Sequence, residues 1–229
     1  MTEPRIVEVR RKILKENDVR ARSLRDRFRQ AGVQVITLVS SPGSGKTTLL
    51  ERLLRDLNKE YRVAALVGDL ATENDAARLA RSGAPVKQIT TGTVCHLDAS
   101  MVERALSDWI ISDLDLLFIE NVGNLVCPSS FDLGEDLRVV LVSTTEGEDK
   151  PLKYPTIFNS SDVAVVTKID LAEAVGFDRE SMIHNINLVR PGMSIVEVSS
   201  RTGVGFDTLK SVLFPHSVRR FLEAEKATS

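Results

Sequence analysis

Nine consecutive residues carry the sharpest chemistry in the chain: Ser40-Ser41-Pro42-Gly43-Ser44-Gly45-Lys46-Thr47-Thr48. An apolar run, Val33–Val39, leads into them, and the helical pattern Thr47–Leu57 leads out. A Gly-rich turn between a strand and a helix aims backbone N–H groups at phosphate oxygens, at a helix start that already favours anions. Gly43 and Gly45 let the backbone curl on either side of Ser44. Lys46 then reaches the β- and γ-phosphates, and the Thr47 hydroxyl, followed by Thr48, falls where Mg²⁺ is held. Ser40 stands where this loop usually begins with Gly. The spacing predicts a nucleoside triphosphate site.

A second acidic-and-glycine cluster follows the apolar run Leu116–Ile119, in Glu120-Asn121-Val122-Gly123. An acidic residue at the carboxyl end of a buried strand belongs to a Mg²⁺ shell in such sheets, commonly through water. Gly123 can offer its N–H to a γ-phosphate, so the loop behind it would sense the triphosphate against the diphosphate. Asp69, at the end of Val63–Gly68, and Asp75 beyond it are the other candidates for the metal shell or for orienting water. Lys46, Asp75 and Glu120 are therefore the candidate catalytic groups. No Gln follows Gly123, so slow turnover is expected.

The base is read from Thr167-Lys168-Ile169-Asp170, after the run Val163–Val166. This resembles the guanine-specificity motif Asn-Lys-x-Asp of GTPases, with Thr at the first position. One carboxylate accepts from the two adjacent N–H donors of guanine, an edge that adenine lacks. Asp170 makes that contact on this reading, and the Lys168 stem covers the ring. Val198-Ser199-Ser200-Arg201-Thr202-Gly203 resembles the loop that meets the guanine carbonyl, with Ser200 at the contact.

Soft ligands form a third group. Cys95-His96 stand together, and Cys127 follows Gly123 by four residues. Thiolate with imidazole suits Zn²⁺ or Ni²⁺ over Mg²⁺. A tetrahedral site wants four ligands and one chain offers three here, so water, an exogenous ligand or a second protomer must complete it. His184 and His216 have no suitable neighbours and read as structural.

Positioning these groups takes an alternating fold. Six apolar runs rich in Val and Ile (Val33–Val39, Val63–Val67, Leu116–Ile119, Val139–Val142, Val163–Val166 and Ile195–Val198) lack the alternation of half-exposed strands. Helical patterns at Thr47–Leu57, Asp98–Ile110 and Glu180–Val189 lie between them. The order argues βαβ units: an α/β P-loop NTPase fold with a doubly wound, mainly parallel sheet in residues 32–229. Residues 1–31 read as a helical extension whose apolar positions are Ile6, Val9, Ile13, Leu24, Phe28 and Ala31. Asn17-Asp18 interrupts that face and is placed to begin a second helix.

This extension is basic, with ten Lys and Arg against four Asp and Glu between Arg5 and Gln30. It reads as a solvated helix face, because no aromatic platform for nucleic acid accompanies the charge. The whole chain, at 229 residues and net charge −2, is long enough for a full core and no generic nucleic-acid binder. Two cysteines exclude a disulfide framework. The start MTEPRIVEVRRKILK has no apolar signal region, and no stretch approaches the ~20 apolar residues of a membrane span. A cytoplasmic protein is expected.

Longer blocks narrow the reading. SSPGSGKTTLLE, GDLATENDAARL, TGTVCHLDASM, ENVGNLVCPSSFDLGE and TEGEDKPLKYP resemble the nickel-incorporation GTPases of [NiFe]-hydrogenase maturation, over about Val33 to Gly203. The resemblance implies a GTPase that dimerises with GTP and passes nickel to the hydrogenase large-subunit precursor, assisted by a zinc- and nickel-binding helper protein. It implies metal ligands at Cys95, His96 and Cys127. Two departures stand out. The N-terminal cysteine motif or His-rich tract of some members is absent from MTEPRIVEVRRK, so tight nickel storage by one chain is not expected. Thr93-Val94 stands where the family often has Lys-Gly. The related urease accessory GTPases fit less well, because their Cys-Pro-His becomes Cys127-Pro128-Ser129. A P-loop kinase acting on a small molecule is the other alternative, and the guanine motif argues against it.

Overall fold

The computed structural model describes residues 5–69 and 74–214, with side chains from residue 8. His216 and the four residues after Asp69 lie outside this range. In chain order the elements are α1 (Arg5–Ala31), β1 (Gln34–Ser40), α2 (Lys46–Leu57), β2 (Val63–Asp69), α3 (Asn74–Ala80), β3 (Val86–Thr90), α4 (Ala99–Ala105), β4 (Leu116–Glu120), β5 (Leu137–Ser143), α5 (Lys150–Lys153), α6 (Pro155–Asn159), β6 (Val163–Thr167), α7 (Arg179–Val189), β7 (Ser194–Glu197) and α8 (Phe206–Leu213). The seven strands form one sheet in the order β3-β2-β4-β1-β5-β6-β7, every pairing parallel.

Parallel strands need crossovers, and the crossovers lay helices on both faces, which is why the inner strands are mostly apolar. Ile36 and Leu38 of β1 face α2, α3 and α8 through Leu49, Leu53, Leu79 and Leu209. Val35 of β1 and Leu66 and Ile119 of neighbouring strands face α1 and α4. Val140 and Val166 face α6 and α7 through Phe158, Met182 and Ile186. The successive side chains of each strand thus point to opposite layers.

The N-terminal helix corrects the sequence reading twice. It runs unbroken for 27 residues through Asn17-Asp18. Its buried side chains are Asn17, Ala21, Leu24 and Phe28, at steps of three and four, whereas Val9 and Ile13 are 57% and 50% exposed. Asn17 holds the continuous helix because its carboxamide finds partners outside it, Asp132 O and Ala99 N, and does not compete for the helix backbone.

Strand β3 carries no buried residue in VKQIT, and its half-polar composition hid it from the search for Val and Ile runs. The helix expected at Asp98–Ile110 ends at Ala105. Asp98 caps its start, accepting from Met101 N at 2.8 Å.

Candidate functional site

The carboxyl ends of β1, β2, β4 and β6 open on one cleft of about 470 Å³, lined by Pro42, Gly43, Gly45, Lys46, Thr47, Thr48, Asp69, Asp75, Arg78, Glu120, Val122, Gly123 and Lys168. Gly43 and Gly45 have φ of 77° and 91°, conformations that only glycine adopts readily, and Gly45 precedes the first turn of α2. Lys46 opens that helix. Its ammonium is buried and donates to Ser40 Oγ at 3.1 Å. Burial lowers the Lys46 pKa, against the opposing pull of Glu120, Asp75, Glu146 and Asp69. The Thr47 hydroxyl donates to Glu120 Oε1 at 2.7 Å.

Glu120 Oε2 is buried with no partner, and burial raises this carboxyl above its ordinary value. A buried ammonium beside an unmatched carboxylate oxygen suits a phosphate and a divalent cation that together complete both. The oxygen donors of Thr47 and Glu120 fit Mg²⁺. Ser44 is buried beneath the loop, donating to Ser41 O at 2.9 Å and standing 2.8 Å from Glu146 Oε2.

The base side is assembled from β6 and the turn after β7. Thr167 Oγ1 donates to Ser44 O at 2.6 Å, so the residue that replaces the usual Asn fastens the motif to the phosphate loop. Lys168 sits at φ 58°, the only positive φ outside glycine among the described residues, and its ammonium donates to Gly43 O at 2.8 Å. Its stem lies alongside the loop, with Cε facing Gly45. Asp170 accepts from Ser199 Oγ at 2.6 Å, which brings the two segments of the guanine reading together. Asp170 and Ser200 stand outside the cleft lining.

Arg52, which the sequence did not single out, donates from Nη1 to Ser200 O at 3.0 Å and lies 4.8 Å from the centre of the Phe206 ring. It ties α2 to the base loop. Arg78 bonds Thr48 Oγ1 at 3.1 Å and Glu51 at 2.7 Å, pinning α3 to α2.

On the other side of the phosphate loop, Cys95, His96 and Cys127 place one ligand atom each within 4.8 Å of one another. The two thiols touch, Sγ to Sγ 2.7 Å, and both are free. His96 stacks on Phe131 with ring centres 3.9 Å apart, and its Nδ1 is buried with no partner. Burial lowers the His96 pKa, which favours the neutral imidazole that binds cations. The Cys127 thiol is pushed up, first by its hydrogen bond with Cys95 and then by burial. The set fits a soft cation with an open fourth position.

Two asparagines, neither given a role by the sequence, stitch this cluster to the cleft. Asn121 Oδ1 accepts from Leu97 N at 3.0 Å, beside His96, and from Val122 N at 2.9 Å. Asn124 Nδ2 donates to Cys95 O at 3.4 Å, while its Oδ1 accepts from Val126 N at 2.8 Å. The only sequence signal for them was their place in ENVGN. Gly123 packs on the phosphate loop: a Cβ there would lie 3.1 Å from Pro42 Cα and N.

Comparison with known proteins agrees with this geometry. The family model described as "CobW/HypB/UreG, nucleotide-binding domain" matches residues 34–197. The chain is 44% identical over 227 residues to the hydrogenase maturation factor HypB of Rhizobium leguminosarum bv. viciae, covering 99% of this chain and 76% of that one. It is 45% identical over 199 residues to the hydrogenase/urease maturation factor HypB of Helicobacter hepaticus, covering 85% and 81%. The crystal structure of HypB from Helicobacter pylori in complex with nickel superposes with a TM-score of 0.83 at 40% identity, covering 90% of this chain and 96% of that one. With its parallel sheet, phosphate loop and adjoining Cys/His cluster, the chain belongs to the HypB hydrogenase maturation factors, within the CobW/HypB/UreG family of nucleotide-binding domains.

Proposed function

We propose that the chain hydrolyses GTP and uses its γ-phosphate to gate a nickel site at Cys95, His96 and Cys127. One observation carries the reading: Glu120, Gly123 and Cys127 lie on a single segment, β4 and the loop behind it, with Gly123 against Pro42 of the phosphate loop. A phosphate drawn to the Gly123 N–H moves a metal ligand four residues away.

In this mechanism the backbone N–H groups of Gly43 to Thr48 and the Lys46 ammonium hold the β- and γ-phosphates. Lys46 neutralises the charge that develops as the bond between the γ-phosphorus and the bridging oxygen breaks. Asp75, on the opposite wall, orients the attacking water. Asp170 takes the guanine N–H edge, the Lys168 stem covers the ring, and Ser200 faces the carbonyl. Mg²⁺ would be held by Thr47 and Glu120, with Asp69 within reach through water, and when bound it supplies countercharge to the β- and γ-phosphates.

Nickel is the cargo, and zinc competes for the same donors. Three ligands per chain leave a coordination position open. A GTP-dependent homodimer brings six to one interface. The partners on this reading are the zinc- and nickel-binding helper protein and the hydrogenase large-subunit precursor, met in the cytoplasm.

Calorimetric metal titration of the apo, GDP and GTP-analogue forms tests the reading. Metal affinity should differ between the two nucleotide states, by the ~5–150-fold usual for coupled sites. Equal affinities would refute the gate. Orthophosphate release from GTP without an added acceptor separates hydrolysis from kinase chemistry.

A further inference from the structure

Asn17 is the one carboxamide buried in α1, 5% exposed on a helix face otherwise packed by Ala21, Leu24 and Phe28. A hydrocarbon would serve packing there as well, and burying an amide is costly unless both ends are bonded. Both ends are. Oδ1 accepts from Ala99 N at 2.9 Å, and Nδ2 donates to Asp132 O at 2.9 Å.

Ala99 N belongs to the first residue of α4, a donor that the helix itself leaves unpaired, three positions after His96. Asp132 follows Phe131, the ring on which His96 stacks, in the loop that leaves Cys127. One side chain therefore bridges the segment carrying Cys95 and His96 to the segment carrying Cys127. Its own backbone belongs to neither. The same loop is pressed onto α1 elsewhere: Arg25 pairs with Asp132 at 2.6 Å, and a Cβ on Gly134 would lie 2.9 Å from Ala21 O.

We propose that Asn17 is a positioning residue for the metal site, holding its two ligand-bearing segments at fixed spacing from outside the nucleotide-binding domain. The N-terminal helix is then a frame for the metal ligands as well as a cover for the sheet. The inference rests on the metal reading above.

Asn17→Leu keeps the volume and removes both bonds. Asn17→Ala leaves room for water and folds more readily. Each is titrated with Ni²⁺ against a chromophoric chelator, and with Co²⁺ while the thiolate-to-metal absorption is recorded. GDP affinity and thermal melting are measured alongside. Ni²⁺ binding should weaken by about 10-fold or more, the range for groups that orient ligands indirectly. The Co²⁺ band should shift or broaden, with GDP affinity unchanged. A wild-type affinity and band in both variants overturns the proposal, as does a loss of GDP and metal binding together, which marks a folding defect. Failure of the wild-type protein itself to bind either metal fails the metal reading first, and the control shows which has failed.

Discussion

Among single residues, Glu120 has the sharpest consequence. Its carboxyl is raised by burial, so its favourable contribution to stability is present below the ordinary carboxylate pKa and is lost as pH rises through the raised one. Ionising Glu120 therefore costs stability, and one of its buried oxygens has no partner to offset the charge. Glu120→Gln should raise the melting temperature of the nucleotide-free protein at pH 7 by about 2–4 °C, the shift ~1 kcal/mol gives in a chain this size, and leave it unchanged near pH 4. The same variant should lose its melting response to Mg²⁺ with GDP; scanning calorimetry reads both. Asp170→Asn should turn preference from guanosine to xanthosine nucleotides, and wild type should discriminate against ATP by up to about 10⁴-fold; competition binding would show both. At the proposed metal site, burial lowers the His96 pKa and the contact with Cys95 raises that of Cys127. Uptake should therefore release thiol protons and strengthen from pH 6 to pH 8. Calorimetry in buffers of different ionisation enthalpy counts those protons.

The elements show what pattern alone conveys. Five of the six strands seen in the sequence lie inside the sheet, where burial on both faces forces a run of Val, Ile and Leu; the sixth, β7, is an edge whose short Ile-Val pair still showed. The missed strand, β3, is the other edge, and its Lys87 reaches Ala105 O at the end of α4. The phosphate loop was legible because its glycines and Lys46 sit next to one another in the chain. Asn17, Arg52 and Asn121 were not, because each acts on backbone atoms 24 to 148 positions away and leaves no local signature. Helix α1 misled for a related reason: Val9 and Ile13 have the right period, yet the described neighbours begin to cover the helix only near Asn17. The loop behind β4 can be tested as a unit. Gly123→Ala puts a methyl group against Pro42 and should part the loop from the phosphate turn. GDP should bind as before, while the GTP-dependent change in metal affinity collapses; titration in both nucleotide states would reveal it.

For the whole molecule, the prediction is a change of mass. Sedimentation with a non-hydrolysable GTP analogue should give a dimer and with GDP a monomer, and by reciprocity metal should shift that equilibrium in the direction in which nucleotide shifts metal affinity. The strand order adds a consequence for timing. β1, with the phosphate loop, lies between β4 on one side and β5 and β6 on the other. The segments that touch the Cys/His cluster and those of the guanine reading therefore sit on opposite flanks of the phosphate loop. If the gate works as proposed, loss of the terminal phosphate alters only the first flank, while Thr167 keeps the second fastened to Ser44. On the proposed reading the cargo is free to leave while the spent nucleotide is still held. Unloading then comes before recharging, and a molecule that has delivered its ion cannot take another until it exchanges GDP. On that reading, one delivery per GTP follows from which strand stands in the middle.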